Sequence, residues 1–284
     1  MFILIYKTIF CICLILIINF VLSKVKFLID DPELEYHKHK HTNIIPLSGG
    51  IYFFLSIFFL SFLNDIDVKI LIFLLPFLFV GIFADIKKEF SPKIRLIFQL
   101  FFFFVLVYFN HIKVTSVDLT LFDQILENKF FNLLFIIFCL ITVLNGHNFM
   151  DGLNGFVIGN FILILSSILF VNLQLSTYSF DQIIIVQNLL VICSVFFLFN
   201  VFEKCFLGDN GIYIFSIFIS LLIISFIENS NGLVSPLLGA VFLWYAAFEN
   251  LFSILRRIKR NKIIYRADRL HLHILVKDFL NLKL

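Results

Sequence analysis

"KFFNLLFIIFCLITVLNGHNFMDGLNGFVIGNFILILSSILF", residues 129–170, decides the fold. Two apolar runs flank "NGHNFMDGLNGF" at 145–156, which holds Asn145, Gly146, His147, Asn148, Asp151, Gly152, Asn154 and Gly155. A helix on the surface of a soluble domain shows a polar stripe every three to four residues. These runs are apolar nearly all round, as helices in lipid are. The polar stretch between them reads as unwound backbone lining a polar cavity, or as a plain turn between two spans.

The rest of the chain repeats this pattern. Of its 284 residues 61% are hydrophobic and 14% charged, and the mean hydropathy is +1.04. Such a composition excludes a soluble domain and gives no sign of nucleic-acid binding. Apolar stretches lie near 1–22, 47–63, 70–84, 94–109, 130–147, 156–172, 183–200, 211–227 and 233–255. The expectation is an all-α polytopic bundle of about nine spans, with a range of eight to eleven. Residues 1–284 form one integral-membrane domain in this reading. The first apolar run is followed by "SKVK", not by a small-residue cleavage site, so it reads as an uncleaved span. The five cysteines lack zinc-site spacing and read as small hydrophobes.

Nine spans place loops 23–46, 85–95, 145–155, 201–210 and 256–284 on one side. That side carries 18 of the 22 Lys and Arg residues. The positive-inside rule puts it in the cytoplasm, with the N-terminus outside and the C-terminus inside. Six of the seven histidines share that side, with Asp85, Asp151 and Asp209 at span ends. A transporter would carry its acids at mid-span. Acids gathered at one interface point instead to a catalytic face that meets a water-soluble reactant.

The loops divide the chemistry. Asp209 in "FLGDNGIYIF" (206–215) reads as a helix N-cap or as a ligand for a hard cation. Asp151 is a second metal candidate. Ser91-Pro92 reads as an N-cap followed by the first helical residue. Lys93 and Arg95 then supply phosphate contacts or ordinary membrane anchoring, and His41 in "HKHKHTNIIPLSGG" (37–50) another phosphate or lipid contact. Asn145, Asn148 and Asn154 carry amides for a base or sugar. Arg269, His271 and His273 follow the basic run "RRIKRNK" (256–262). Carboxylates for a metal and cations for phosphates suit phosphoryl transfer between a soluble nucleotide donor and a membrane acceptor.

"PLSGG" (46–50), "ADIKKEFSPKIRLIFQ" (84–99), "NGHNFMDGLNGF", "FLGDNG" (206–211) and "RADRLHLH" (266–273) resemble, in order, motifs of the polyprenyl-phosphate N-acetylhexosamine-1-phosphate transferases. "DRLHLH" resembles the undecaprenyl-phosphate GlcNAc-1-phosphate branch more than the peptidoglycan branch. The resemblance implies an Mg²⁺-dependent phosphotransferase of glycosyltransferase family 4 type, with Mn²⁺ as the alternative ion. Its partners would be a UDP-N-acetylhexosamine, undecaprenyl phosphate and membrane lipid, with a second copy of the chain as a candidate partner in a homodimer, in the bacterial cytoplasmic membrane. Its product would be a lipid-linked sugar that starts an O-antigen, capsule or other cell-wall polysaccharide, with release of UMP. By resemblance Asp209 is the metal ligand and Asp85 the second acid of a pair at the acceptor phosphate. Asn148 and Asp151 line the nucleotide site, and His271 and His273 contact the donor phosphates. Catalysis is thereby assigned to Asp85, Asp151 and Asp209, and nucleotide-sugar binding to Asn145, Asn148, Asn154, Arg269, His271 and His273.

The chain departs from the family pattern. Ala84 replaces the first acid of the pair, Ile274 a further histidine and Asn154 an aspartate. The chain also ends where relatives continue into at least one more span. The alternative these departures favour is an inactive or truncated relative that binds lipid or partner proteins.

Overall fold

The computed structural model describes residues 2–31, 44–62, 69–87, 90–175, 180–261 and 271–280. Their helices are α1 (Phe2–Val25), α2 (Gly49–Phe62), α3 (Lys69–Ile86), α4 (Pro92–Phe109), α5 (Thr120–Leu126), α6 (Lys129–Met150), α7 (Phe156–Leu175), α8 (Phe180–Val201), α9 (Gly208–Asn229), α10 (Leu237–Lys259) and α11 (Leu272–Phe279). Each apolar stretch of the sequence becomes one helix. Eight are long and apolar enough to cross a membrane, while α2, with 14 residues, is a shorter apolar helix. The chain is an all-α, multi-pass membrane bundle. Its outer faces expose large apolar side chains such as Leu163, Phe170 and Trp244, a surface suited to lipid and unfavourable in water.

The short elements lie outside the expected spans. Strands β1 (Ile29–Asp30) and β2 (Ile45–Pro46) pair antiparallel, Ile29 opposite Pro46 and Asp30 opposite Ile45. Leu47 bridges to Phe206 just before α9. At the other end of the bundle, Thr115 donates to Glu228 and Ser235 donates to Asp118, which ties the segment after α4 to the α9–α10 region.

Helix α9 is the centre of the bundle, packed by α2, α3 and α6. Within its span window 78% of residues are buried, against 44% or less in every other span. Small residues allow this enclosure, because they let backbones approach where larger side chains would hold them apart. A Cβ on Gly81 of α3 would lie 2.4 Å from the Asn210 Cα, so that crossing requires glycine.

One local expectation is corrected. The stretch 145–155 is not unwound throughout, because α6 continues to Met150 and only the turn 151–155 separates it from α7. The Asp151 N–H still donates to the His147 carbonyl at 3.1 Å. Four polar or glycine residues are tolerated because the helix satisfies its own backbone and α10 packs closely at Gly146.

Candidate functional site

The first turn of α9 carries Asp209. Its N-cap position is Leu207, whose side chain offers no capping bond. Asp209 itself lies inside the helix, so the N-cap reading of this residue does not hold. Its carboxylate receives two side-chain donors from neighbouring helices. Arg95 Nη1 from α4 lies 2.7 Å from Oδ2, and Asn148 Nδ2 from α6 lies 3.1 Å from Oδ1. The aspartate is buried while the arginine is half-buried. A close ion pair at the edge of a low-dielectric interior is stronger than one in open water.

Asp85 reaches the same turn from the end of α3. One carboxylate oxygen accepts the Asp209 backbone N–H at 2.8 Å, and the other accepts the Asn210 N–H at 3.0 Å and the Asn210 carboxamide. Asn210 also donates to the Leu47 carbonyl at 3.1 Å and accepts the Gly50 N–H at 2.6 Å. Residues from "PLSGG", "ADIKK", "NGHNF" and "FLGDNG" therefore meet around one helix start. As expected, Pro92 opens α4, with Ser91 at the cap position and without a side-chain capping bond. That opening sets Arg95 one turn into α4, on Asp209, and leaves Lys93 exposed at the helix start.

A second cluster is built on α10. Glu249 Oε2 lies 3.0 Å from His271 Nδ1, and Glu249 Oε1 accepts the Leu272 N–H at 2.7 Å and the Tyr245 hydroxyl at 3.1 Å. Tyr245 Oη lies 3.2 Å from His273 Nδ1 and accepts the His273 N–H at 3.1 Å. These bonds dock the start of α11 against α10. Phe149 stacks on His271 at 5.0 Å, and the Arg257 guanidinium lies over the Phe149 ring at 5.2 Å from its centroid. His273 Nε2 has no hydrogen-bond partner among the described residues and faces Gly152 of the 151–155 turn. Burial pushes the His273 imidazole down to about 4, and neighbouring His271 adds to the shift while Glu249 opposes it. His273 is therefore neutral near pH 7.

The remaining expected site residues are placed as follows. Asp151 is buried and caps the end of α6. Asn145 donates to the Ile141 carbonyl on its own helix. Asn154 donates to Glu203 at 3.1 Å. His41 and Arg269 lie outside the described residues.

Glu249, Tyr245, Phe149 and Asn210 were not singled out in the sequence. Glu249 also departs from the placing of Asp85, Asp151 and Asp209 at span ends, for it lies well inside the apolar α10 and is buried. The sequence signal was available: a lone acid inside an apolar span needs a partner, and histidines follow in "HLH". Asn210 carries no signal apart from its place beside Asp209.

Comparison with known proteins matches residues 67–227 to Glycosyl transferase family 4. The chain is 24% identical over 268 residues to a probable undecaprenyl-phosphate N-acetylglucosaminyl 1-phosphate transferase of Bacillus subtilis, covering 91% of this chain and 73% of the relative. It is 24% identical over 253 residues to an undecaprenyl-phosphate alpha-N-acetylglucosaminyl 1-phosphate transferase of Thermotoga maritima, covering 88% and 73%. It is 32% identical over 192 residues to a phospho-N-acetylmuramoyl-pentapeptide-transferase of Petrotoga mobilis, covering 61% and 58%. The matched segment runs from α3 through most of α9 and so contains Asp85, Arg95, Asn148 and Asp209 around one helix start; the chain belongs to glycosyl transferase family 4.

Proposed function

We propose that this protein transfers an N-acetylhexosamine 1-phosphate from a UDP-sugar to undecaprenyl phosphate at the cytoplasmic face of the bacterial inner membrane. The observation that carries this reading is Asp209, held between Arg95 and Asn148 at the start of the central helix. The names of the relatives support the acceptor and the phosphosugar donor. The gathering of 18 of the 22 basic residues on the loops of one side supports the orientation.

In the proposed reaction an oxygen of the acceptor phosphate attacks the β-phosphorus of the UDP-sugar. The bond from that phosphorus to the oxygen bridging the two phosphates breaks, and UMP leaves. The lipid then carries a diphosphate-linked sugar. Both reactants are anions, so their approach requires positive charge at the reacting phosphates. Arg95 lies at Asp209, Lys93 at the exposed start of the same helix, and Arg257 beside the histidine cluster. Glu249 and Tyr245 hold His271 and His273, and His273 Nε2 faces Gly152 in the 151–155 turn, where the donor would bind. Phe149 and Phe156 supply aromatic surface beside these imidazoles.

The donor set fits Mg²⁺ bound jointly by protein and substrate. No group of three His, Cys, Asp or Glu side chains among the described residues forms a metal cage. Mg²⁺ needs none, since one or two carboxylates plus phosphates and waters suffice. The Asp209 carboxylate already faces a cation, Arg95 at 2.7 Å, which supports its reading as the anionic ligand of the site. Asp209 would be the protein ligand, with Asp151 as a second candidate. When bound, the ion would neutralise phosphate charge and polarise the phosphorus under attack.

The test is UMP release by purified protein with undecaprenyl phosphate, Mg²⁺ and a panel of UDP-N-acetylhexosamines. The expected result is UMP release that requires lipid, metal and one member of the panel. No lipid-dependent UMP from any member would overturn the proposal.

A further inference from the structure

We infer that Asp85 is a positioning residue that fixes the first turn of α9 and through it aims Asp209, rather than an acid at the acceptor phosphate. This inference rests on the proposed role of Asp209 as the metal-binding acid.

The start of a helix leaves backbone N–H groups without intrahelical partners. A side chain at the N-cap commonly serves them, but Leu207 has no polar atom to do so. Asp85 does it from another helix. Both of its oxygens are engaged, one by the Asp209 N–H and the other by the Asn210 N–H and carboxamide. The backbone before this turn is shaped to the carboxylate. Gly208 has φ +67°, and a Cβ there would lie 2.7 Å from Asp85 Oδ2.

The same turn is held from the α2 side, where the Asn210 carboxamide joins Leu47 and Gly50. Two attachments, from α2 and α3, thus fix the backbone of residues 209 and 210. The Asp209 side chain projects from that turn to Arg95 and Asn148. Loosening the turn displaces the Asp209 carboxylate, the proposed metal ligand. It also explains how a single acid can serve beside Ala84, because a helix cap needs one carboxylate and not a proton-sharing pair.

Hydrogen–deuterium exchange of the metal-free protein in nanodiscs, paired with steady-state kinetics, tests this in wild type, Asp85→Asn, Asp85→Ala and Asp209→Asn. Peptides covering 207–212 should exchange at least about tenfold faster in Asp85→Ala, with Asp85→Asn intermediate, because a carboxamide keeps only one acceptor oxygen. Peptides from 129–143 should be unchanged. Turnover should fall by about 10²-fold while KM for undecaprenyl phosphate stays within about twofold, as expected when geometry and not acceptor contact is lost. Asp209→Asn should lose turnover with 207–212 still protected.

Lost turnover in Asp85→Asn with 207–212 fully protected would overturn the inference and return Asp85 to the reacting atoms. So would a many-fold rise in KM for the acceptor, loss of protection with turnover intact, or loss of protection spread over the whole bundle. Full turnover in Asp209→Asn would instead defeat the metal reading, while the exchange data still judge whether Asp85 holds the turn.

Discussion

Replacing Gly81 by alanine tests how closely α3 must approach α9. The added Cβ would lie 2.4 Å from the Asn210 Cα, 2.7 Å from its nitrogen and 2.9 Å from the Asp209 carbonyl carbon. All three are backbone atoms, so no side chain can swing aside. Restoring a contact of ~3.4 Å requires a retreat of ~1 Å. A retreat of that size along the contact would lengthen the 2.8 and 3.0 Å bonds from Asp85 to the Asp209 and Asn210 amides past the limit of hydrogen bonding. Overpacking costs about 1–3 kcal/mol, and each weakened bond to a charged acceptor adds up to about 1.5–3 kcal/mol. A misplacement of ~1 Å at a catalytic group also costs about 10²-fold in rate. Gly81→Ala should therefore lower the melting temperature in detergent and cut lipid-dependent UMP release by about 10²-fold. Gly159→Ala is the control, since its Cβ would meet only Phe197 at an ordinary 3.5 Å. It should be neutral or slightly stabilising, as alanine is the better helix former. A Gly81→Ala protein as stable and active as the Gly159→Ala control would refute the packing argument.

Three further outcomes follow from the site and the fold. Asp209→Asn should lose at least about 10²-fold in turnover while staying folded, with a lowered melting temperature, because an amide keeps the volume but removes the charge paired with Arg95. The low His273 value sets a pH window: the unfolded chain takes up a proton near its ordinary value of 6.5 that the folded chain refuses until about pH 4. Stability from this group is full above pH 6.5 and falls on acidification toward pH 4, so melting temperatures from pH 7 to 5 should drop more in wild type than in His273→Gln. Single cysteines replacing Lys87 and Leu233, both exposed, should label from opposite sides of the membrane in a background lacking the five native cysteines. Labelling from the same side would contradict the orientation.

The helices were legible because lipid imposes a simple rule on sequence. Each span must be apolar over its length, so runs such as 156–172 announced themselves, and α7 occupies Phe156–Leu175. The end of α6 was not legible. Asn145, Gly146 and Asn148 are weak helix residues, and only packing against α10 shows why the helix continues through them. The site was half legible. Asp85, Asn148 and Asp209 stood out as polar groups at span ends, and the fold brings all three to one helix start. Their roles within it depend on direction. Nothing in "ADIKK" tells that the carboxylate points at backbone amides 124 and 125 residues away. Glu249 was hidden by the apolar residues around it, and its histidine partner lies 22 residues downstream.

The fate of the donor's β-phosphate tests the central claim most directly. UDP-N-acetylhexosamine labelled with ³²P at that position, incubated with the protein, Mg²⁺ and undecaprenyl phosphate, follows the bond that breaks. Transfer of a sugar 1-phosphate predicts label in the lipid product and unlabelled UMP in solution, both abolished in Asp209→Asn. Label leaving as UDP, with a lipid product that carries sugar but no label, would contradict the account.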